Sequence, residues 1–127
     1  MYQKTVIIGR LGRDPEMRFT QDGTQVTSFS VATDRRWKNA QGGAESKTTW
    51  FRVTCWRNLA EVVNQYTHKG DLVMCEGELA EPKPYQKTDG TWAASLDLTA
   101  SAVKFLNSKR DGEHAEPADG AEMDIPF

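Results

Sequence analysis

Cysteine and histidine are scarce in this 127-residue chain, with two of each. Cys55 and Cys75 stand alone in strand-like runs without a CxxC pair, which suits reduced core thiols in a cytosolic protein. Together with His68 and His114 they match no zinc-ligand spacing, so neither a metal nor another cofactor is expected. Long apolar runs are also missing. The longest strongly apolar stretch is Val6-Ile7-Ile8, far short of the ~20 residues that span a membrane. Met1-Tyr2-Gln3-Lys4 is not followed by an apolar stretch, so no secretory signal is expected there. The Rossmann and phosphate-loop glycine patterns are absent. Gly9-Arg10-Leu11-Gly12 has the GxxG form of a KH loop, but Pro15 bars the flanking helix such a loop needs. No Ser, Thr or Cys has a convincing histidine partner. Glu76 and Glu78 share a strand face without a companion base, which reads as a solvated edge. The sequence carries no sign of an enzyme.

The net charge of −2 taken alone argues against a polyanionic ligand. It hides a split. All 16 Lys and Arg lie in residues 1–110 with 12 of the 18 acids, leaving that body at +4. Residues 111–127 hold the other six acids and no Lys or Arg, giving −6. The chain is a basic body with an acidic tail, and such tails often contact partners.

Along the body the pattern is that of strands. Thr5–Ile8 is short and β-branched, closed by Gly9 and Gly12. Glu16–Thr20 and Gln25–Arg35 flank Asp22-Gly23, a strong hairpin signal. The polar, Gly-rich segment Asn39–Ser46 predicts a flexible loop, and Thr48–Trp56 predicts a strand. The period then changes. Leu59, Val62, Val63 and Tyr66 form one helical stripe. Asn58 is placed to cap this helix with Glu61 three residues on, His68 and Lys69 suit its last turn, and Gly70 its C-cap. Asp71–Leu79 returns to strand character. Ala80–Gly90, with Pro82, Pro84 and a second Asp-Gly, predicts a long loop or hairpin arm. Trp92–Ala102 predicts one half-buried strand with its even-numbered residues inward.

An all-β chain with one short helix between its third and fourth strands matches the OB-fold, a five-stranded Greek-key barrel. This predicts a domain over residues 1–107. Residues 111–122 hold no aromatic or β-branched side chain and cannot offset their ordering entropy, so 108–122 is expected to be a disordered acidic linker. Apolar residues reappear only in 123–127.

The residues that point to chemistry lie on Thr48–Trp56. Its odd positions, Phe51, Val53 and Cys55, make a sensible core set. Its even positions, Trp50, Arg52, Thr54 and Trp56, should face water. Two exposed tryptophans need a ligand or a partner. One explanation is cover by another subunit or a loop. The sharper one is a stacking platform for nucleobases, with neighbouring cations holding phosphates. Arg35-Arg36-Trp37-Lys38 repeats the mixture of ring and charge, as does Tyr85 between Lys83 and Lys87.

These residues give the chain a family resemblance. Val6-Ile7-Ile8-Gly9-Arg10-Leu11-Gly12-Arg13-Asp14-Pro15-Glu16, Thr49-Trp50-Phe51-Arg52-Val53, Leu59-Ala60-Glu61, Lys69-Gly70 and Glu76-Gly77 resemble the bacterial single-stranded-DNA-binding proteins, over residues 3–106. Asp124-Ile125-Pro126-Phe127 resembles that family's tail tip. The resemblance implies an OB-fold homotetramer that wraps single-stranded DNA during replication, recombination and repair. It places base stacking on Trp37, Trp50, Trp56 and Tyr85. Arg18, Arg35, Lys38, Arg52, Arg57 and Lys69 are the cations expected at phosphates. Trp56 stands where the family often has Phe, and Asn58 where it often has Lys, with Arg57 beside it. The tip, Asp124 to Phe127, is expected to dock on replication and repair proteins, and the protein to be cytoplasmic and nucleoid-associated. Two other readings stay open: an OB-fold adaptor whose aromatics meet proteins, and an RNA-binding OB module.

Overall fold

A computed structural model describes residues 1–106. The expected linker (108–122) and tip (123–127), like residue 107, lie outside the described residues. Eight strands and one helix follow in the order β1 (Thr5–Leu11), β2 (Glu16–Phe19), β3 (Gln25–Lys38), β4 (Ala44–Trp56), α1 (Arg57–Tyr66), β5 (Leu72–Leu79), β6 (Lys83–Gln86), β7 (Trp92–Ser95) and β8 (Asp97–Phe105). Six of them form one sheet in the order β1-β5-β8-β4-β3-β2. It closes where Arg10 and Leu11 of β1 meet Ala32 and Val31 of β3. The closed barrel is therefore β1, β3, β4, β5 and β8, with α1 between its third and fourth strands, as an OB-fold requires. One pairing, β4 with β8, is parallel.

Strand alternation fills the barrel. Ile7, Leu11, Phe29, Val31, Val53, Cys55, Val73, Cys75, Leu98 and Ala100 point inward. Helix α1 plugs one end with Ala60 and Val63, both fully buried. The small Ala60 lets the helix approach β3 closely enough for the Thr27 hydroxyl to donate to the Ala60 carbonyl at 2.7 Å. The expected stripe is thus rotated: Leu59 and Val63 pack inward, but Val62 and Tyr66 are exposed. Both helix caps differ as well. Trp56, not Asn58, holds the N-cap position and offers no side-chain hydrogen bond. The helix stops at Thr67 in extended conformation, before His68, Lys69 and Gly70. Gly70 is left-handed (φ 89°), but in the following turn, where Asp71 N–H donates to the His68 carbonyl.

Two further expectations change. The loop after β3 is shorter than Asn39–Ser46, because β3 and β4 pair out to Lys38 and Ala44. The Asn39 side-chain oxygen closes the remaining turn by accepting from the N–H groups of Gln41 and Gly43, each at 2.9 Å. Trp92–Ala102 is not one strand. The β6–β7 ribbon leaves the barrel as a separate two-stranded sheet, and β8 begins only at Asp97. The break is held by Arg52 N–H donating to the Leu96 carbonyl and Ala80 N–H to that of Asp97, both at 2.8 Å. Inward alternation holds for Leu98 and Ala100 but fails for Trp92 and Ala94, which face no core.

Candidate nucleic-acid interface

The site is built on the outer face of β4. Val53 and Cys55 are fully buried, while Trp50 is 53% exposed and Trp56 40% exposed. Arg52 is exposed between them. The opposing residues on β3 are Ala32, Ser30, Ser28 and Val26 for positions 50, 52, 54 and 56. Their small side chains leave the indoles uncovered. Strand β2 extends the face, with Arg18 opposite Val26 and Glu16 opposite Ser28. Arg18, Val26 and Trp56 thus form one row over three strands, with the first and last backbones about 10 Å apart. Trp50 and Trp56 are separated by about 20 Å along the strand.

The turn after β1 borders this face. Gly12 N–H donates to the Ser30 carbonyl at 3.0 Å. A hollow of about 220 Å³ lies there, lined by Arg13 and Arg52, Ser28 and Ser30, and the carboxylates of Asp14 and Glu16. Asp14 accepts the backbone N–H of Lys69 at 2.8 Å, which draws Lys69 to the same end. Among the described residues, none of Arg13, Arg18, Arg52 and Arg57 stands in an ion pair. Their charges are available to an anion. Glu76, by contrast, faces Lys4 at 3.4 Å, and the Glu76 carboxylate, first as hydrogen-bond partner and then by its charge, raises the Lys4 ammonium pKa.

Trp37 and Arg35 lie elsewhere. Beyond the barrel, β3 and β4 continue as a ribbon whose residues 34–38 and 44–48 are all exposed. Register puts Trp37 opposite Glu45 and Arg35 opposite Lys47, on the ribbon side away from Trp50, while Lys38 shares the parity of Ala32. The Arg35 guanidinium carbon stands 5.6 Å from the Trp37 ring centroid, a cation–π contact. Tyr85 is 49% exposed on the β6–β7 ribbon opposite Ala93. Trp92, expected inward, is 68% exposed and opposite Gln86, so it projects from the other side of the ribbon.

Arg57 follows Trp56 directly and is exposed. Its φ is 60°, a left-handed backbone at a bulky side chain, which is unfavourable by about 1–2 kcal/mol. Nearby, the β2–β3 turn is closed by Asp22. Hydrogen bonds from the Thr20 hydroxyl, then from Thr24, hold the Asp22 carboxyl below its ordinary range. Arg13, on the hollow, and Trp92, exposed on its ribbon, join the face and ribbons without a site role expected from sequence. The signal for Arg13 was its place beside Gly12 in the loop; for Trp92, the Asp-Gly turn two residues before it.

The structure therefore gathers Arg18, Trp56, Arg52 and Trp50 on one face, brings Lys69 to its rim, and leaves Trp37, Arg35 and Tyr85 on two protruding ribbons. Among the described residues no three His, Cys, Asp or Glu cluster as metal ligands, and no helix is long and apolar enough to cross a membrane. Aromatic faces with unpaired cations suit a flexible polyanion with bases to stack.

Known proteins are similar to this chain. The model of the Single-strand binding protein family matches residues 2–106. A single-stranded DNA-binding protein of Neisseria meningitidis serogroup A is 40% identical over 114 residues, covering 90% of this chain and 65% of that protein. The chain thus spans a little under two thirds of that relative's length. Single-stranded DNA-binding protein 1 of Staphylococcus aureus (strain MSSA476) is 34% identical, covering 91% of this chain and 72% of that one. Among solved structures, a Plasmodium falciparum SSB complex with ssDNA superposes with a TM-score of 0.69 at 25% identity, over 84% of this chain and 96% of that chain.

Proposed function

The chain belongs to the single-strand binding protein family, and we propose that it binds single-stranded DNA without reading sequence, protecting it in replication, recombination and repair. The observation that carries this reading is the face of Trp50, Arg52 and Trp56, with Arg18 in its row and small side chains between. Every base has a π-face and every nucleotide a phosphate, so such a face grips any sequence. Tyr85, Trp37 with Arg35, and Lys38 extend the path along the two ribbons.

The protein acts as a homo-oligomer, a tetramer by its family resemblance. Strand β1 pairs with β5 along Thr5–Arg10 but with β3 only at Arg10 and Leu11. Among the described residues no strand covers the outer edge of Thr5–Ile8, where Val6 is 49% exposed. An open edge of this kind pairs readily with a second copy. The tip, Asp124-Ile125-Pro126-Phe127, recruits replication and repair proteins, and the protein works in the cytoplasm at the nucleoid.

Titration of intrinsic tryptophan fluorescence with poly-dT tests the reading. Quenching is expected, with affinity falling log-linearly as salt rises. An absence of quenching at low salt overturns it. Competition by poly-U distinguishes an RNA reader, which would favour the 2′-OH strand. Sedimentation tests the oligomer, with Val6→Lys expected to dissociate it.

A further inference from the structure

The hollow beside the turn after β1 carries charges of both signs. Arg13, Asp14, Glu16, Ser28, Ser30 and Arg52 line its volume of about 220 Å³. A carboxylate repels phosphate, so a face that only gripped a phosphate backbone would gain nothing from two of them. Asp14 is accounted for, since it accepts the Lys69 N–H at 2.8 Å. Glu16 is not. It is exposed, and among the described residues it forms no ion pair, although it shares the hollow with two guanidinium groups that form none either.

Register explains why these charges stand apart. Glu16 lies opposite Ser28 on one side of β3, and Arg52 opposite Ser30 on the other. Ser28 and Ser30 share the outward face of β3. A carboxylate and a guanidinium therefore flank two small hydroxyl side chains, from backbones about 10 Å apart across the strands. Such a gap suits the edge of a base, and the four bases differ in the edge they offer. Guanine alone presents two adjacent donors, N1–H and the 2-amino group, which match the two oxygens of one carboxylate. Its O6 and N7 are adjacent acceptors, which match the fork of one guanidinium. Thymine presents a single N–H between two carbonyl oxygens, which a carboxylate repels.

We propose that this hollow seats one guanine of the bound strand, with Glu16 accepting from N1–H and the 2-amino group while Arg52 donates to O6 and N7. The proposal rests on the reading of the chain as a single-strand binder and deepens it at one position. Stacking and phosphate contacts grip any sequence, and the seat adds affinity where a guanine falls in it.

The experiment titrates the full-length protein with thymidine strands of one length that carry guanine, inosine, adenine or thymine at the centre. The guanine strand is expected to bind about fivefold more tightly than the all-thymine strand, the low end for a bidentate base contact. Adenine controls for the larger purine ring and is expected within about twofold of thymine. Inosine lacks the 2-amino group and is expected to fall between guanine and thymine. An adenine strand that matches guanine assigns the gain to stacking and overturns the seat. An inosine strand that matches guanine overturns the contact of Glu16 with the amino group. Glu16→Gln should act in opposite directions on the two strands. It should bind the all-thymine strand as tightly as wild type or more so, because a charge that repels phosphate is gone, while the guanine advantage shrinks to within about twofold. A Glu16→Gln protein that gains equally on every strand overturns the seat. Arg52→Lys keeps the charge but loses the fork, so it too should shrink the guanine advantage; an undiminished advantage overturns the part of Arg52. A wild type that binds thymine and guanine strands alike overturns the seat and leaves the broader function standing. One that binds neither overturns that broader reading, and the seat with it.

Discussion

The Trp50 indole lies against Gly12, so close that a Cβ built on Gly12 would sit 2.7 Å from Cζ3 and 2.8 Å from Cη2 of the ring. No alanine is accommodated at such distances without movement. The turn after β1 therefore forms the bed on which the half-exposed ring rests, and residue 12 governs where the ring points.

Gly12→Ala should shift the ring rather than unfold the barrel, because the clash is with the outer edge of an exposed side chain and not with backbone. We expect a near-native melt, an altered tryptophan emission, and a loss of poly-dT affinity up to the ~1–3 kcal/mol of one stacked base. Wild-type affinity with altered emission would remove Trp50 from the stacking set.

Trp50→Ala and Trp56→Ala should each lower affinity by about 1–3 kcal/mol with assembly intact. Sedimentation alongside the titration separates stacking from cover by another subunit: a variant that dissociates the oligomer places its tryptophan in an interface instead.

The β6–β7 ribbon allows a sharper comparison. Tyr85 and Trp92 are both exposed but project from opposite sides. A strand lying on the Tyr85 side, which also carries Lys83, loses affinity with Tyr85→Ala and stays within about twofold with Trp92→Ala. Equal losses would mean that the ribbon is gripped from both sides.

What was readable in the sequence was local. The split of β4 into Phe51, Val53 and Cys55 inside and Trp50, Arg52 and Trp56 outside follows from a period of two within one strand. So does the β2–β3 hairpin, whose Asp22-Gly23 turn needs the positive φ of Gly23 (89°). Features that depend on pairing or packing at a distance were not readable. Arg18 joins Trp56 only through the β2–β3–β4 register. Helix α1 turned its Ala60 inward, where hydrophobic periodicity had favoured Val62 and Tyr66, because a small residue permits the Thr27 contact. Trp92 kept the alternation of β8 in number while the chain left the barrel, so the pattern outlived the surface it described.

Removing residues 111–127 should tighten DNA binding, chiefly at low salt. That segment carries −6 against the +4 of residues 1–110, so it is expected to compete with phosphates for the same cations, with salt screening the competition. Low-salt affinity that does not change on truncation confines the segment to contacts with partner proteins.

Cys55 and Cys75 give the fold an alkaline limit. Both are fully buried, and burial pushes each thiol from 9.0 to about 12, with Cys55 adding to the effect on Cys75. Below about pH 8 both thiols are protonated in the folded and unfolded chain alike, so they add no pH dependence there. From about pH 8 up to about 12 the unfolded chain releases protons that the folded chain retains. Stability must then fall as pH rises, at up to about 1.4 kcal/mol per pH unit for each thiol. Urea midpoints should drop between about pH 8 and pH 10.5, and a Cys55→Ala/Cys75→Ala variant, though less stable overall, should show a smaller drop. At pH 8 the native thiols should resist alkylation until the barrel opens, since the thiolate is the reactive form. Rapid alkylation without unfolding, or an equal alkaline loss in the variant, would show that burial does not hold these protons.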